Sequence, residues 1–62
     1  MRFADWRKKS GMTQHQVSQA LGVILITVSR WECGTRIPEP EMQRRIVGFT
    51  DGDVTPNDWI MV

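Results

Sequence analysis

The sequence has a single cysteine, Cys33, among its 62 residues, and this excludes an internal disulfide framework. No apolar run approaches the ~20 residues of a membrane span, and the first residues lack the apolar centre of a signal peptide. Sixty-two residues are enough for one domain, but they leave no room for a catalytic cleft with its own supporting residues or for a ligand-sensing domain. We therefore expect a single cytoplasmic domain, residues 1–62, with no small-molecule effector.

Residues that could carry catalysis or bind a metal are also few. There is one histidine, His15, and no group of Asp, Glu, His and Cys has the spacing of a metal site or catalytic centre. The sequence therefore predicts a protein that is not an enzyme and that uses no metal or cofactor.

Basic residues are absent from the last part of the chain. All eight Lys and Arg residues lie between Arg2 and Arg45, whereas the residues after Arg45 include three acidic side chains. A basic body followed by an acidic segment suits a protein that presents one face to a polyanion, although an ordinary solvated surface gives the same counts.

Glycines and prolines divide the chain into five short segments with helical patterns. The segments are Phe3 to Lys9, Thr13 to Leu21, about Leu25 to Cys33, a fourth that Pro38 and Pro40 open and that runs to Phe49, and a last one after Thr55. The β-branched run from Ile24 to Val28 could suggest a strand, but no second strand is available to pair with it. The expected fold class is all-α, a compact bundle of five short helices.

The second and third segments are joined by a very short turn. Thr13 and Gln16 have the spacing of a capping box at the start of the second helix, and Gly22 can take the left-handed conformation that ends it. Two helices that cross through so short a turn need a small residue where they approach, here Ser18. Apolar residues must fill the angle between them: Val17, Leu21, Val23, Val28 and Trp31.

The stretches Gln14–Val23 and Thr27–Gly34 resemble the Cro/C1-type (Xre-like) helix-turn-helix of phage repressors and bacterial regulators. The resemblance extends from about Trp6 to Trp59. It implies a lambda-repressor-like DNA-binding domain whose third helix enters the major groove of double-stranded DNA. The implied function is transcriptional regulation in a bacterial or phage-infected cell, by a Cro-like repressor that occupies a palindromic operator.

The resemblance also assigns individual residues to DNA. The side chains expected to face base edges are Leu25, Ile26, Ser29 and Arg30, and those expected at the DNA backbone are Lys9, Gln14, Thr27 and Arg36. Arg30 is the best candidate reader because a guanidinium can bond O6 and N7 of guanine together, with a phosphate contact as its alternative role. Arg7 and Glu32 are expected to form a structural ion pair between the first and third helices.

Three consecutive apolar residues, Ile24, Leu25 and Ile26, depart from the family pattern. Family members usually have a polar or capping residue at the position of Ile24 and often a polar reader at that of Leu25. Apolar side chains in a groove can read only thymine methyl groups or exclude water. Two interpretations stay open: an operator rich in methyl groups, or a surface that binds protein.

One reading helix makes few base contacts, so we expect a homodimer, which need form only on DNA. The expected contact is the segment from Thr50 onwards, which lacks Lys and Arg, and its candidate residues are Trp59, Ile60, Met61 and Val62. Trp59 and Ile60 could instead close the core of their own chain. Two other functions stay open: an antitoxin that binds DNA and a toxin, and a protein-interaction module that has lost DNA binding.

Overall fold

In the computed structural model, which describes residues 1–59, the chain forms four α-helices and a final 3-10 turn, with no strand in that range. The elements are α1 (Phe3–Lys9), α2 (Gln14–Leu21), α3 (Leu25–Cys33), α4 (Pro40–Phe49) and the 3-10 turn Pro56–Trp59. The all-α prediction is confirmed, but the fifth segment is not an α-helix. Asp58 N donates to Thr55 O at 2.9 Å, the three-residue spacing of a 3-10 helix, and the Asp58 carboxylate accepts from Thr55 N at 2.8 Å.

The fourth helix begins at Pro40, which is later than predicted. Pro38 lies before α4 and its carbonyl accepts from Gln43 Nε2 at 2.8 Å, so the expectation that both prolines open the helix is wrong for Pro38. Glu39 has extended backbone angles, φ −63° and ψ 157°. A residue that precedes a proline is sterically kept out of the helical region, and α4 therefore starts at Pro40.

The ends of α2 follow the prediction closely. Thr13 Oγ1 accepts from Gln16 N at 3.0 Å, and Gln16 Oε1 accepts from Thr13 N at 2.8 Å, which completes the capping box. Gly22 ends the helix with φ 72°, a conformation that costs glycine little. Both features depend on local sequence, and they fix the direction in which the chain leaves α2.

The core is formed where all the helices meet. Its buried apolar side chains are Phe3, Val17, Leu21, Val28, Trp31, Ile46, Val54 and Trp59. Phe3 lies at the centre of an aromatic group, with ring centroids 6.0 Å from Trp31 and 5.7 Å from Trp59. The side chain of Trp59 is therefore part of its own chain's core, which was the alternative to a dimer contact. It packs the last turn against α1 and α3.

Candidate nucleic-acid interface

The crossing of α2 and α3 is tight because the residues at the crossing are small or apolar. Ser18 is buried, and its hydroxyl donates to His15 O at 2.7 Å, so the close approach leaves no unpaired hydroxyl. Val23 N donates to Ser18 O at 2.9 Å and closes the turn. The four residues Val17, Leu21, Val28 and Trp31 are buried as predicted, and Val23 is partly buried. This packing fixes the orientation of α3.

One side of α3 packs against the core and the other faces solvent. Val28 and Trp31 are buried, while Arg30 is exposed and Ser29 is partly exposed. Leu25 and Ser29, like Ile26 and Arg30, are four residues apart and therefore adjacent on one helix surface. The structure thus brings the four candidate base readers together on the face of α3 that points away from the core, and we call this surface, formed by Leu25, Ile26, Ser29 and Arg30, the reading face.

One basic residue, Arg36, continues this face beyond the end of α3. The main-chain N–H groups of Thr35 and Arg36 both donate to Arg30 O, at 3.1 and 3.3 Å, so the loop folds back over the last turn. Thr27, Arg30 and Arg36 consequently line one shallow groove together with residues at the start of α4. Lys9 is exposed at the end of α1, and no hydrogen bond or ion pair among residues 1–59 connects it to α3.

Glu32 connects three helices beneath the reading face. Arg7 Nε lies 2.6 Å from Glu32 Oε2, and Arg7 Nη2 donates to Oε1 at 3.0 Å. Arg7 Nη1 also donates to Met12 O at 3.0 Å. The structural ion pair expected from the resemblance is therefore present, with bidentate geometry. Burial alone would raise the pKa of the Glu32 carboxyl, but the hydrogen bonds from Arg7 and Gln14 outweigh it and the pKa lies below its usual value.

Gln14 has a role that sequence reasoning missed. Its Nε2 donates to Glu32 Oε1 at 3.1 Å, so one of its two side-chain N–H donors is used inside the protein. The Gln14 main-chain N–H belongs to the first turn of α2, where N–H groups lack intrahelical partners. No spacing rule could have found this contact, because it joins residues 18 positions apart that only the folded chain brings together.

The expected dimer contacts lie mostly beyond the part of the chain that the structure covers. Ile60, Met61 and Val62 are outside the described residues. Trp59 is 7% exposed, so it offers almost no surface to a partner, and its assignment as a dimer contact is corrected: the aromatic group around Phe3 takes up its ring.

Within residues 1–59, no helix has both the length and the apolar character needed to cross a membrane, and no cluster of His, Cys, Asp and Glu could hold a metal.

Comparison with known proteins adds a family assignment to this geometry. A family model described as helix-turn-helix matches residues 3–55. No curated protein and no solved structure matches the chain significantly. The matched range includes α1 to α4 and every residue of the reading face.

Proposed function

Because the chain belongs to the Cro/C1-type helix-turn-helix family of DNA-binding transcription regulators, we propose that it is a repressor that occupies a palindromic operator. The observation that carries the proposal is the two-sided character of α3. Its inner side is held in the core by Val28 and Trp31. On its outer side Leu25, Ile26 and Arg30 are exposed and Ser29 is partly exposed. The major groove of B-DNA is wide enough to admit such a helix.

In this proposal the DNA contacts divide into base contacts and backbone contacts. Arg30 reads guanine through O6 and N7, and Ser29 contacts a base edge or a phosphate beside it. Thr27 and Arg36 contact the DNA backbone, because they line the groove next to Arg30. Gln14 contributes its main-chain N–H to a phosphate at the positive end of α2. Lys9 contacts the backbone further out.

The size of the chain supports a site with two halves. The described residues span 26 Å along their longest axis, whereas successive major-groove faces on one side of B-DNA are about 34 Å apart. One chain can therefore reach one half-site, and a second chain related by two-fold symmetry would occupy the other. The acidic segment after α4 would then be kept away from phosphate groups.

The test is a selection of binding sites from random duplexes, followed by titrations of the selected duplex at several salt concentrations. We expect a symmetric site with half-site centres about one helical turn apart. The logarithm of the affinity should fall with the logarithm of salt concentration, by about 0.9 for each phosphate contacted. Transcription in vitro from a promoter that overlaps the site should decrease when the protein is added.

Two results would contradict the proposal. If no sequence is enriched and duplex binding does not depend on salt, the chain is a protein-interaction module rather than a DNA-binding regulator. If a site is enriched but the protein raises transcription from every promoter position tested, the chain is an activator.

A further inference from the structure

The first turn of α3 carries aliphatic side chains that a guanine contact by Arg30 does not use. Ile24, Leu25 and Ile26 are 67%, 46% and 50% exposed. They make up most of the large apolar surface that residues 1–59 leave open to solvent, since Met1 and Ile37 are the other large apolar side chains exposed there. A contiguous exposed apolar patch marks a surface that binds something.

The arrangement of these side chains indicates which kind of partner they fit. Leu25 and Ile26 point about 100° apart on the first turn of α3, and Ile24 precedes the helix with extended backbone angles. The three side chains therefore do not form a stripe along one helix face. A protein partner that packs along a helix contacts residues three or four positions apart. A helix end that is apolar on several sides fits better between the two walls of a groove.

The patch is also continuous with the side chains proposed to contact DNA. Ile26 precedes Arg30 by one helical turn, and Leu25 precedes Ser29 by one turn, on the same exposed face. One turn of helix rises about 5.4 Å, which is the thickness of roughly two stacked base pairs. Whatever Arg30 reads, Leu25 and Ile26 would therefore meet the edges of base pairs one or two steps away.

The C5-methyl group of thymine is the apolar feature that base edges present in the major groove. We propose that Leu25 and Ile26 recognise thymine methyl groups, so that each half-site carries thymine within about two base pairs of the guanine read by Arg30. The proposal rests on the proposed function. These two side chains distinguish thymine from cytosine because only thymine offers a methyl group from which they can exclude water.

The experiment uses the full chain and the operator obtained by selection, with each thymine replaced in turn by deoxyuridine. This replacement removes the methyl group and leaves the hydrogen-bonding groups unchanged. We expect binding to weaken about four-fold at one or two positions near the guanine, as for the loss of one buried methyl group. In the variants Leu25→Ala and Ile26→Ala, the same replacement should have no effect at the position that the removed side chain contacts.

Ile37→Ala is the matched control, because Ile37 is 52% exposed but lies in the loop after α3, where it lines the groove with Arg30 and Arg36 instead of the start of the helix. It should leave the ratio of thymine to deoxyuridine affinity unchanged. All three substitutions are at exposed positions, so the melting temperature should stay close to that of the parent chain.

Four outcomes separate this inference from the proposed function. If an operator is selected but deoxyuridine has no effect at any position, the inference is wrong and the proposed function stands. An operator with no thymine within two base pairs of the guanine has the same consequence. If no operator is selected, both are wrong. The last outcome is that Leu25→Ala and Ile26→Ala convert a DNA-free dimer into a monomer in sedimentation, while the thymine preference is unchanged. In that case the patch binds a second copy of the chain and the inference is wrong.

Discussion

Ile24 is the residue that precedes α3, and its backbone already has the extended angles of a helix cap, φ −79° and ψ 156°. Its side chain makes no capping hydrogen bond. In the first turn, Thr27 N already donates to Ile24 O at 3.0 Å. Ile24→Ser would supply a hydroxyl acceptor to the N–H groups of this turn, and we expect it to raise the free energy of unfolding by about 1 kcal/mol. The melting temperature should rise by about 4–8 °C.

Ile37→Ser is the control for this substitution, since it makes the same exchange at an exposed position outside any helix. It should change the free energy of unfolding by less than about 0.5 kcal/mol. Equal melting temperatures for Ile24→Ser and the parent chain would show that a hydroxyl at this position does not cap α3.

Arg30 is the exposed cation on the reading face itself. Arg30→Ala should reduce the free energy of binding to the best operator by about 1–3 kcal/mol and relax the base preference at one position in each half-site. Arg44→Ala, which removes an exposed cation from α4, is the control and should preserve the base preference. Equal weakening by Arg30→Ala on every sequence would show that Arg30 contacts a phosphate.

At the scale of the helices, the contacts of Glu32 hold α3 to its scaffold. Its carboxylate accepts from Arg7 on α1 and from Gln14 on α2, and its side chain is 9% exposed. Glu32→Ala would leave the Arg7 guanidinium partly buried without its counter-charge, and we expect a loss of about 3–5 kcal/mol in the free energy of unfolding. Glu32→Gln keeps one oxygen, which can accept from Arg7 Nη2 and Gln14 Nε2, and loses the acceptor of Arg7 Nε. It should therefore cost less than Glu32→Ala.

A double-mutant cycle with Arg7→Met separates this interaction from lost packing. If Arg7 and Glu32 act as a pair, the double variant should be more stable than the sum of the two single losses implies. Urea unfolding of the four chains provides the numbers. Strictly additive losses would contradict a stabilising role for the pair.

The same helix contacts predict how stability depends on pH. Glu32 has a pKa below its usual value, and so does Asp58, chiefly because the Thr55 main-chain N–H donates to its carboxylate. Groups with lowered pKa values stabilise the fold above their unfolded pKa values, which are about 4. We expect the stabilisation from these two carboxylates to be complete above about pH 5 and to be lost as pH falls through 4 and below. Glu32→Gln should make the decrease smaller, and an unchanged slope would exclude Glu32 as a source.

The starts and ends of the helices, and the contacts between them, differ in how well the sequence predicts them. The start and end of α2 depend on Thr13, Gln16 and Gly22, which act within a few residues, and both were predictable. The start of α4 differs from the prediction because Pro40 keeps Glu39 out of the helical region. The contact of Gln14 with Glu32 depends on the crossing of α2 and α3, so no local pattern contains it.

At the scale of the whole molecule, the small surface limits what a dimer can be. The accessible surface of the chain is 4228 Å², and a standard interface buries about 800 Å² on each partner. Such an interface would take up about a fifth of this surface, in addition to the face of α3 that we propose for DNA binding. A smaller contact, which becomes effective when two chains are held on one operator, is the arrangement we expect.

The segment after α4 is the proposed position of this contact, because it lacks Lys and Arg and ends in apolar residues. Deletion of Met61 and Val62, which lie outside the described residues, should abolish cooperative binding to full sites and leave affinity for half-sites unchanged. A variant with both residues replaced by serine keeps the length of the chain. It should behave like the deletion, because both variants lose the apolar side chains that would make the contact. Titration of full-site and half-site duplexes measures the cooperativity, and thermal melting checks the fold. Cooperative binding that survives in a folded deletion variant would show that the dimer does not need these two residues.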